Sequence, residues 1–135
     1  MNWDDERVAI ESTFTTEWVS RTPIKYENAI FEEPNNRTWV ALNILGGGGK
    51  PLSISPNGTH KTWGVIIVQI FGPKDAGTAP IKVLADAAAL IFKDRNLSYG
   101  QSGVITTRTP ALVTVGFRED WYQLNVEVPF TRLVK

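Results

Sequence analysis

The 135-residue sequence contains no cysteine and only one histidine, His60. The absence of cysteine excludes disulfide bonds, thiolate metal ligands and a cysteine nucleophile. A single histidine leaves little room for a histidine-based zinc site or a Ser-His-Asp triad. Composition therefore argues against the familiar metalloenzymes and hydrolases.

An excess of charge and a long apolar run are also missing. Fourteen basic residues balance fourteen acidic ones, which argues against a nucleic-acid binder that relies on a broad basic surface. The longest apolar stretches, residues 65–71 and 87–92, are too short to cross a bilayer as a helix. The acidic first residues lack the order of a signal peptide. We expect one domain over residues 1–135, with no membrane partner.

Helical periodicity occurs twice. Trp3, Ile10, Phe14 and Trp18 are spaced by seven, four and four residues, which places them on one face of an N-terminal helix capped by Asn2. Apolar residues recur at helical spacing over residues 83–91, after a turn-rich segment over residues 72–80. The pattern predicts two helices separated by a long non-helical stretch.

Strand patterns fill the remainder of the chain. Extended segments are predicted at residues 23–27, 37–45, 62–71, 104–107, 112–118 and 121–130. Val113, Val115 and Phe117 should share one face, and Pro129 suits a strand end or an edge. The order α-β-β-β-α-β-β-β predicts an α+β fold, with two helices packed on one mainly antiparallel or mixed sheet of about five to six strands.

The segment over residues 46–61 is unusually rich in glycine. About sixteen residues are more than a hairpin connection needs, so this segment is either an idle flexible loop or an arm that becomes ordered against a partner. The candidate interface residues of the arm are Gly46, Gly47, Gly48, Gly49, Lys50, Pro51, Leu52, Ile54, Asn57 and His60. A second candidate interface loop contains Pro73, Lys74, Asp75 and Thr78, and Thr78 is also a candidate helix N-cap.

No catalytic motif is complete. Gly49-Lys50 does not form a phosphate-binding loop, because Ile44 stands where the first glycine is needed and Pro51 stands where serine or threonine is needed. The adjacent carboxylates at residues 4–5, 32–33 and 119–120 are typical of a helix start and of turns. We therefore expect neither an enzyme nor a cofactor.

Five tryptophans are numerous for so short a chain. Trp18 and Trp39 are the first candidates for the core. Aromatic residues also anchor protein–protein interfaces, and a carbohydrate-binding platform is the alternative, although nothing else in the sequence favours it.

Ordered motifs cover the chain from Ile10 to Phe130. They comprise Thr22-Pro23-Ile24-Lys25-Tyr26-Glu27-Asn28, the Trp39-Val40 strand, Gly64-Val65-Ile66, Leu84-Ala85-Asp86, and the strand from Trp121 to Phe130. On these motifs the sequence resembles the tail-terminator-like proteins of long-tailed bacteriophages. The matching residues Pro23, Tyr26, Asn28, Trp39, Gly64, Asp86 and Trp121 are expected to be structural.

The resemblance implies a ring, typically a hexamer, at the head-proximal end of the tail tube. Such a ring stops tube polymerisation and presents a docking surface to the head or neck. The implied partners are other copies of the chain, the major tail tube protein and a head-completion or neck protein, while genomic DNA only passes through the lumen. The implied location is the virion tail, after assembly in the bacterial cytoplasm.

Two alternatives stay open. A head–tail connector or head-closure protein would also be a small ring-forming α+β protein. A non-viral ligand-binding or enzymatic domain would instead be a compact monomer with a defined polar pocket.

Overall fold

The computed structural model describes residues 3–51, 60–98 and 103–134. In these ranges the elements, in chain order, are α1 (Trp3–Trp18), β1 (Ile24–Lys25), β2 (Trp39–Pro51), β3 (His60–Pro73), α2 (Ala79–Phe92), β4 (Asn96–Ser98), β5 (Val104–Thr107), β6 (Ala111–Arg118) and β7 (Trp121–Val134). Asn2, the predicted cap of the first helix, lies outside the described residues.

The strands form one seven-stranded sheet in the order β1-β2-β3-β7-β5-β4, and β6 pairs with β7 next to β5. The β1–β2 pair is parallel, and the other pairs are antiparallel. This agrees with the predicted mixed α+β sheet beneath two helices. The strand count is seven because Asn96–Ser98, for which no strand was predicted, pairs with β5. Three residues are too few to show an alternating pattern.

The main core lies between the helices and one face of the sheet. Buried residues from both helices, including Phe14, Trp18 and Phe92, pack against alternating residues of β2, β3 and β7. The prediction that Trp18 is buried is confirmed. The prediction that Trp3 shares this buried face was wrong: Trp3 is 80% exposed, because the first turn of α1 borders an open groove and not the packed core.

A second cluster lies on the opposite face of the sheet. Trp39 stacks on Phe71 with ring centroids 4.1 Å apart, and the edge of Trp121 meets Trp39 at 5.8 Å. Phe31 packs against this cluster from the segment before β2. Trp39 is therefore a core residue, as predicted, but of this smaller cluster.

β7 is a central strand, and it contains Pro129 in its interior. The prediction of a strand end or an edge for Pro129 was wrong. β5 pairs with residues 130–132 of β7 and β6 pairs with residues 121–127, which leaves a gap beside Pro129. The Arg108 backbone N–H donates to the Pro129 carbonyl at 2.9 Å, so the backbone of Pro129 faces this gap. No ladder hydrogen bond is lost there to the missing N–H.

Candidate assembly surfaces

The glycine-rich segment is largely a β-hairpin. β2 continues through the glycines to Pro51 and pairs with β3 back to His60, so the prediction of a flexible loop at residues 46–51 was wrong. Glycine pays an entropy cost in a strand, but pairing with β3 offsets that cost here. Leu52, Ile54 and Asn57 lie outside the described residues.

The indole ring of Trp63 accounts for part of the glycine run. A Cβ atom on Gly47 would lie 2.6 Å from Cδ1 of Trp63. At Gly48 the backbone has a φ of +136° and the Trp63 ring lies beside it, at a β-bulge between Gly46 and Gly48. The glycines therefore give a bare strip of strand on which an aromatic ring lies.

The described end of this hairpin is basic. Lys50 lies directly opposite Lys61, and His60 precedes Lys61 on β3. Like charges directly opposite each other destabilise a strand pair.

An open groove of about 620 Å³ separates the base of the hairpin from the start of α1. Its lining includes Trp3, Trp63 and the Glu6–Arg132 ion pair, whose Oε1 and Nε atoms are 3.0 Å apart. Both side chains are largely buried, so this pair fastens α1 to β7. On the rim, the hydrogen bond and the charge of Asp4, with the charge of Glu11, raise the pKa of Arg7 above its ordinary value.

The second predicted interface loop lies at the other end of β3. Pro73 ends β3 opposite Trp121, and Lys74 and Asp75 are exposed. Thr78 is the N-cap residue of α2, as predicted, but its side chain makes no capping hydrogen bond. Because β3 has fourteen residues, this loop and the hairpin end are roughly 45 Å apart.

Most of the family-motif residues have structural contacts. Val40 N–H donates to the Pro23 carbonyl at 3.2 Å, the Tyr26 hydroxyl bonds to that of Thr15, and Asn28 has a φ of 52° in its turn. Gly64 is crowded by the Leu45 carbonyl and the Phe130 ring.

Three motif residues remain, of which Trp39 stacks on Phe71 in the second cluster. Trp121 Nε1 donates to Glu33 at 3.3 Å. Asp86 is exposed on α2, and nothing in the structure explains its place in the motif.

Sequence reasoning missed the exposure of β6. Val113 and Phe117 were expected on one face, but a bulge between Thr114 and Gly116 shifts the register. Phe117 lies opposite Tyr122, whereas Val113 lies opposite Asn125, so the two side chains lie on different faces of the sheet. Regular alternation concealed the bulge. The one sequence signal of it was a glycine within the predicted strand, Gly116, which has a φ of +94° in the structure.

Within the ranges that the structure describes, no three His, Asp or Glu side chains converge as a metal site would require. None of the described helices is long and apolar enough to cross a membrane.

Three comparisons with known proteins bear on the identity of the chain. No protein with a curated description matches the sequence. A solved structure without a descriptive name is similar in fold, with a TM-score of 0.77 at 15% identity, over 98% of this chain and 96% of that one. The family model described as phage tail terminator protein matches residues 7–130. Because this match covers most of the sequence, the chain belongs to the phage tail terminator protein family.

Proposed function

We propose that the protein forms a ring, a hexamer, that caps the head-proximal end of the tail tube. The ring terminates tube polymerisation and offers the docking surface for the head or neck. The observation that carries this proposal is the family match over residues 7–130. The role is structural and involves neither catalysis nor a cofactor.

The distance between the two candidate surfaces supports capping. A cap must contact the tube at one end and the head or neck at the other, and the Lys50–Lys61 end of the hairpin and the Lys74–Asp75 loop lie at opposite ends of β3. One end mimics a further tube subunit, while the other end cannot seed a new layer. A head-to-tail interface between copies closes on rotation, and it yields the ring.

The partners in this proposal are other copies of the chain, the major tail tube protein and a head-completion or neck protein, in the virion tail. DNA passes through the lumen without sequence-specific binding. The balance of fourteen basic and fourteen acidic residues supports this. Tight phosphate binding depends chiefly on lysine and arginine.

Electron microscopy of lysates from a phage with this gene interrupted tests the proposal. We expect tails of abnormal length that do not join filled heads. Complementation with the intact gene is the control, and it should restore virions.

Each other outcome contradicts tube termination. Tails of normal length beside unjoined heads would favour a head–tail connector or head-closure protein. Intact virions would exclude both assembly roles and favour a ligand-binding or enzymatic domain.

A further inference from the structure

β6 is an edge strand that exposes apolar side chains on both faces. The exposed fractions are 50% for Leu112, 38% for Val113, 44% for Val115 and 69% for Phe117. Among the described residues its only strand neighbour is β7. Edge strands are usually protected by lysine, proline or a covering element, and β6 has no charged residue before Arg118.

On the outer side of β6, no strand of the described residues pairs with the backbone N–H and C=O groups. The carbonyl of Pro129 accepts from Arg108 on the side of β7 where β5 and β6 lie. Every second residue of β7, including Asn125, therefore has its backbone N–H and C=O on this side as well, toward β6. Val113 lies opposite Asn125, so the backbone N–H and C=O of Val113 point toward β7. Backbone groups alternate along a strand, and the N–H of the next residue, Thr114, therefore points away from β7.

A second open edge lies on the other side of the same sheet. β1 covers β2 only at Val40 and Ala41, and the Glu27 carboxylate accepts the outward N–H of Ile44 at 3.1 Å. Beyond that point Gly46 turns outward by the same alternation. Leu45 beside it is 53% exposed, and the space around Gly46 is open to a Cβ.

We propose that β6 of one copy pairs antiparallel with the outer edge of β2, near Gly46, in the next copy. The inference rests on the proposed ring and identifies the interface that closes it. A second copy of this chain thus covers the β6 edge, and the sheets of the two copies form one continuous sheet.

Strand direction supports this pairing. Three antiparallel steps, through β3 and β7, separate β2 from β6, so β2 and β6 run in opposite directions. Copies related by rotation about an axis that makes an acute angle with the strands keep the sense of each strand along that axis, and the new junction is therefore antiparallel. A β6–β6 pair would instead be two-fold symmetric and would stop at a dimer.

The positions of the two edges along the sheet also support it. β6 lies at the level of residues 67–73 of β3, whereas Gly46 lies opposite Gly64. Neighbouring copies are therefore shifted by about six residues, or roughly 20 Å along the strands. The path from one edge to the other crosses four strands, β2, β3, β7 and β6. Over their combined width the shift corresponds to a tilt of roughly 45° between the strands and the ring axis, close to the strand tilt of closed barrels.

The area of β6 alone is small for a stable interface. Its four half-exposed side chains offer a few hundred Å², roughly half of the ~800 Å² that each partner of a standard interface buries. A ring compensates for this, because each copy is held at both its β6 edge and its β2 edge.

Matched variants in a complemented phage test the backbone pairing. Thr114→Pro removes the outward N–H of β6 without removing a donor to β7, and Thr114→Ala keeps it. We expect Thr114→Ala to restore virions and Thr114→Pro to reduce their yield at least tenfold. The purified variants should unfold at similar temperatures. Equal yields from the two variants would overturn the proposal. Gly46→Pro and Gly46→Ala test the β2 edge in the same way.

Cross-linking identifies the partner strand and remains interpretable if a proline variant misfolds. Because the chain has no cysteine, Gly46→Cys can be combined with a cysteine at residue 112, 114 or 117, and the assembled tails can be oxidised. We expect at least one double variant to give a ladder of covalent multimers, and the single variants to give none.

The outcomes separate this inference from the proposed function. Covalent dimers from a single β6 cysteine would show two-fold pairing and overturn the inference. The absence of any ladder from correctly terminated tails would also overturn it while leaving the ring intact. Tube termination itself fails only if the interrupted gene leaves tails of normal length.

Discussion

Gly46 and Gly64 lie opposite each other in the hairpin, but only Gly64 has no room for a side chain. A Cβ atom on Gly64 would lie 2.5 Å from the Leu45 carbonyl oxygen and 2.8 Å from Cζ of Phe130. A Cβ atom on Gly46, directly across the strand pair, would meet no atom within 4 Å. Backbone atoms cannot move aside as a flexible side chain does, so Gly64 is needed for packing and Gly46 is not.

Gly64→Ala should therefore lower the free energy of unfolding by about 2 kcal/mol, since overpacking of this kind costs about 1–3 kcal/mol. Gly46→Ala, the matched control, should change it by less than about 0.5 kcal/mol. Urea denaturation of the purified variants measures both. Equal losses would contradict the close approach at Gly64.

At the scale of elements, an aromatic stack in the second half of α1 adds to the Glu6–Arg132 ion pair in holding this helix to the rest of the fold. Phe14 stacks between Trp18 and Phe92, at centroid distances of 5.0 and 5.9 Å. Glu17 pairs with Arg95 at 2.7 Å, but these two side chains are well exposed and such pairs contribute little. In this half of α1, aromatic packing therefore contributes more to docking than the exposed ion pair does.

Phe14→Ala should lower the free energy of unfolding by about 3–5 kcal/mol, because it leaves a cavity in a fully buried aromatic stack. Trp3→Ala removes a larger ring from the same helix, but that ring is 80% exposed, and little change is expected. Denaturant unfolding followed by far-UV circular dichroism compares them. A greater loss for Trp3→Ala would contradict this difference between an exposed and a buried ring.

For the whole molecule, β3 is the strand that separates the two ends proposed to have different partners. The hairpin end displays Lys50 and Lys61, and the opposite end displays Lys74 and Asp75. A cap whose ends have different partners should show different defects when either end is altered.

We expect Lys50→Glu with Lys61→Glu at one end, and Lys74→Glu at the other, to produce different defects in a complemented phage. One end should give tails of abnormal length, and the other should give normal tails that do not join heads. Lys82→Glu, which changes an exposed charge on α2, is the control and should restore virions. Electron microscopy measures tail length and joining. The same defect from both ends would contradict a two-ended cap.

Much of this architecture could be predicted from local pattern. The spacing of Ile10, Phe14 and Trp18 predicted the buried face of α1, and alternation predicted the two strands on either side of residues 119–120, which pair as β6 and β7. The candidate surfaces were predicted only as segments. Their geometry depends on pairing across the sheet, and the extension of β2 through four glycines depends on partners in β3 that are distant in the chain.

Periodicity and composition by themselves determined the two helices, the α+β class and the absence of cysteine chemistry, because these depend on residues close in sequence or on simple counts. The ordered motifs indicated the tail terminator family, which the match over residues 7–130 supports. Only the tertiary structure decided that Trp63 lies over the glycines, that Pro129 lies beside a gap, and that β6 is left uncovered. Strand order and register set each of these, and they arise from long-range pairing that no local pattern encodes.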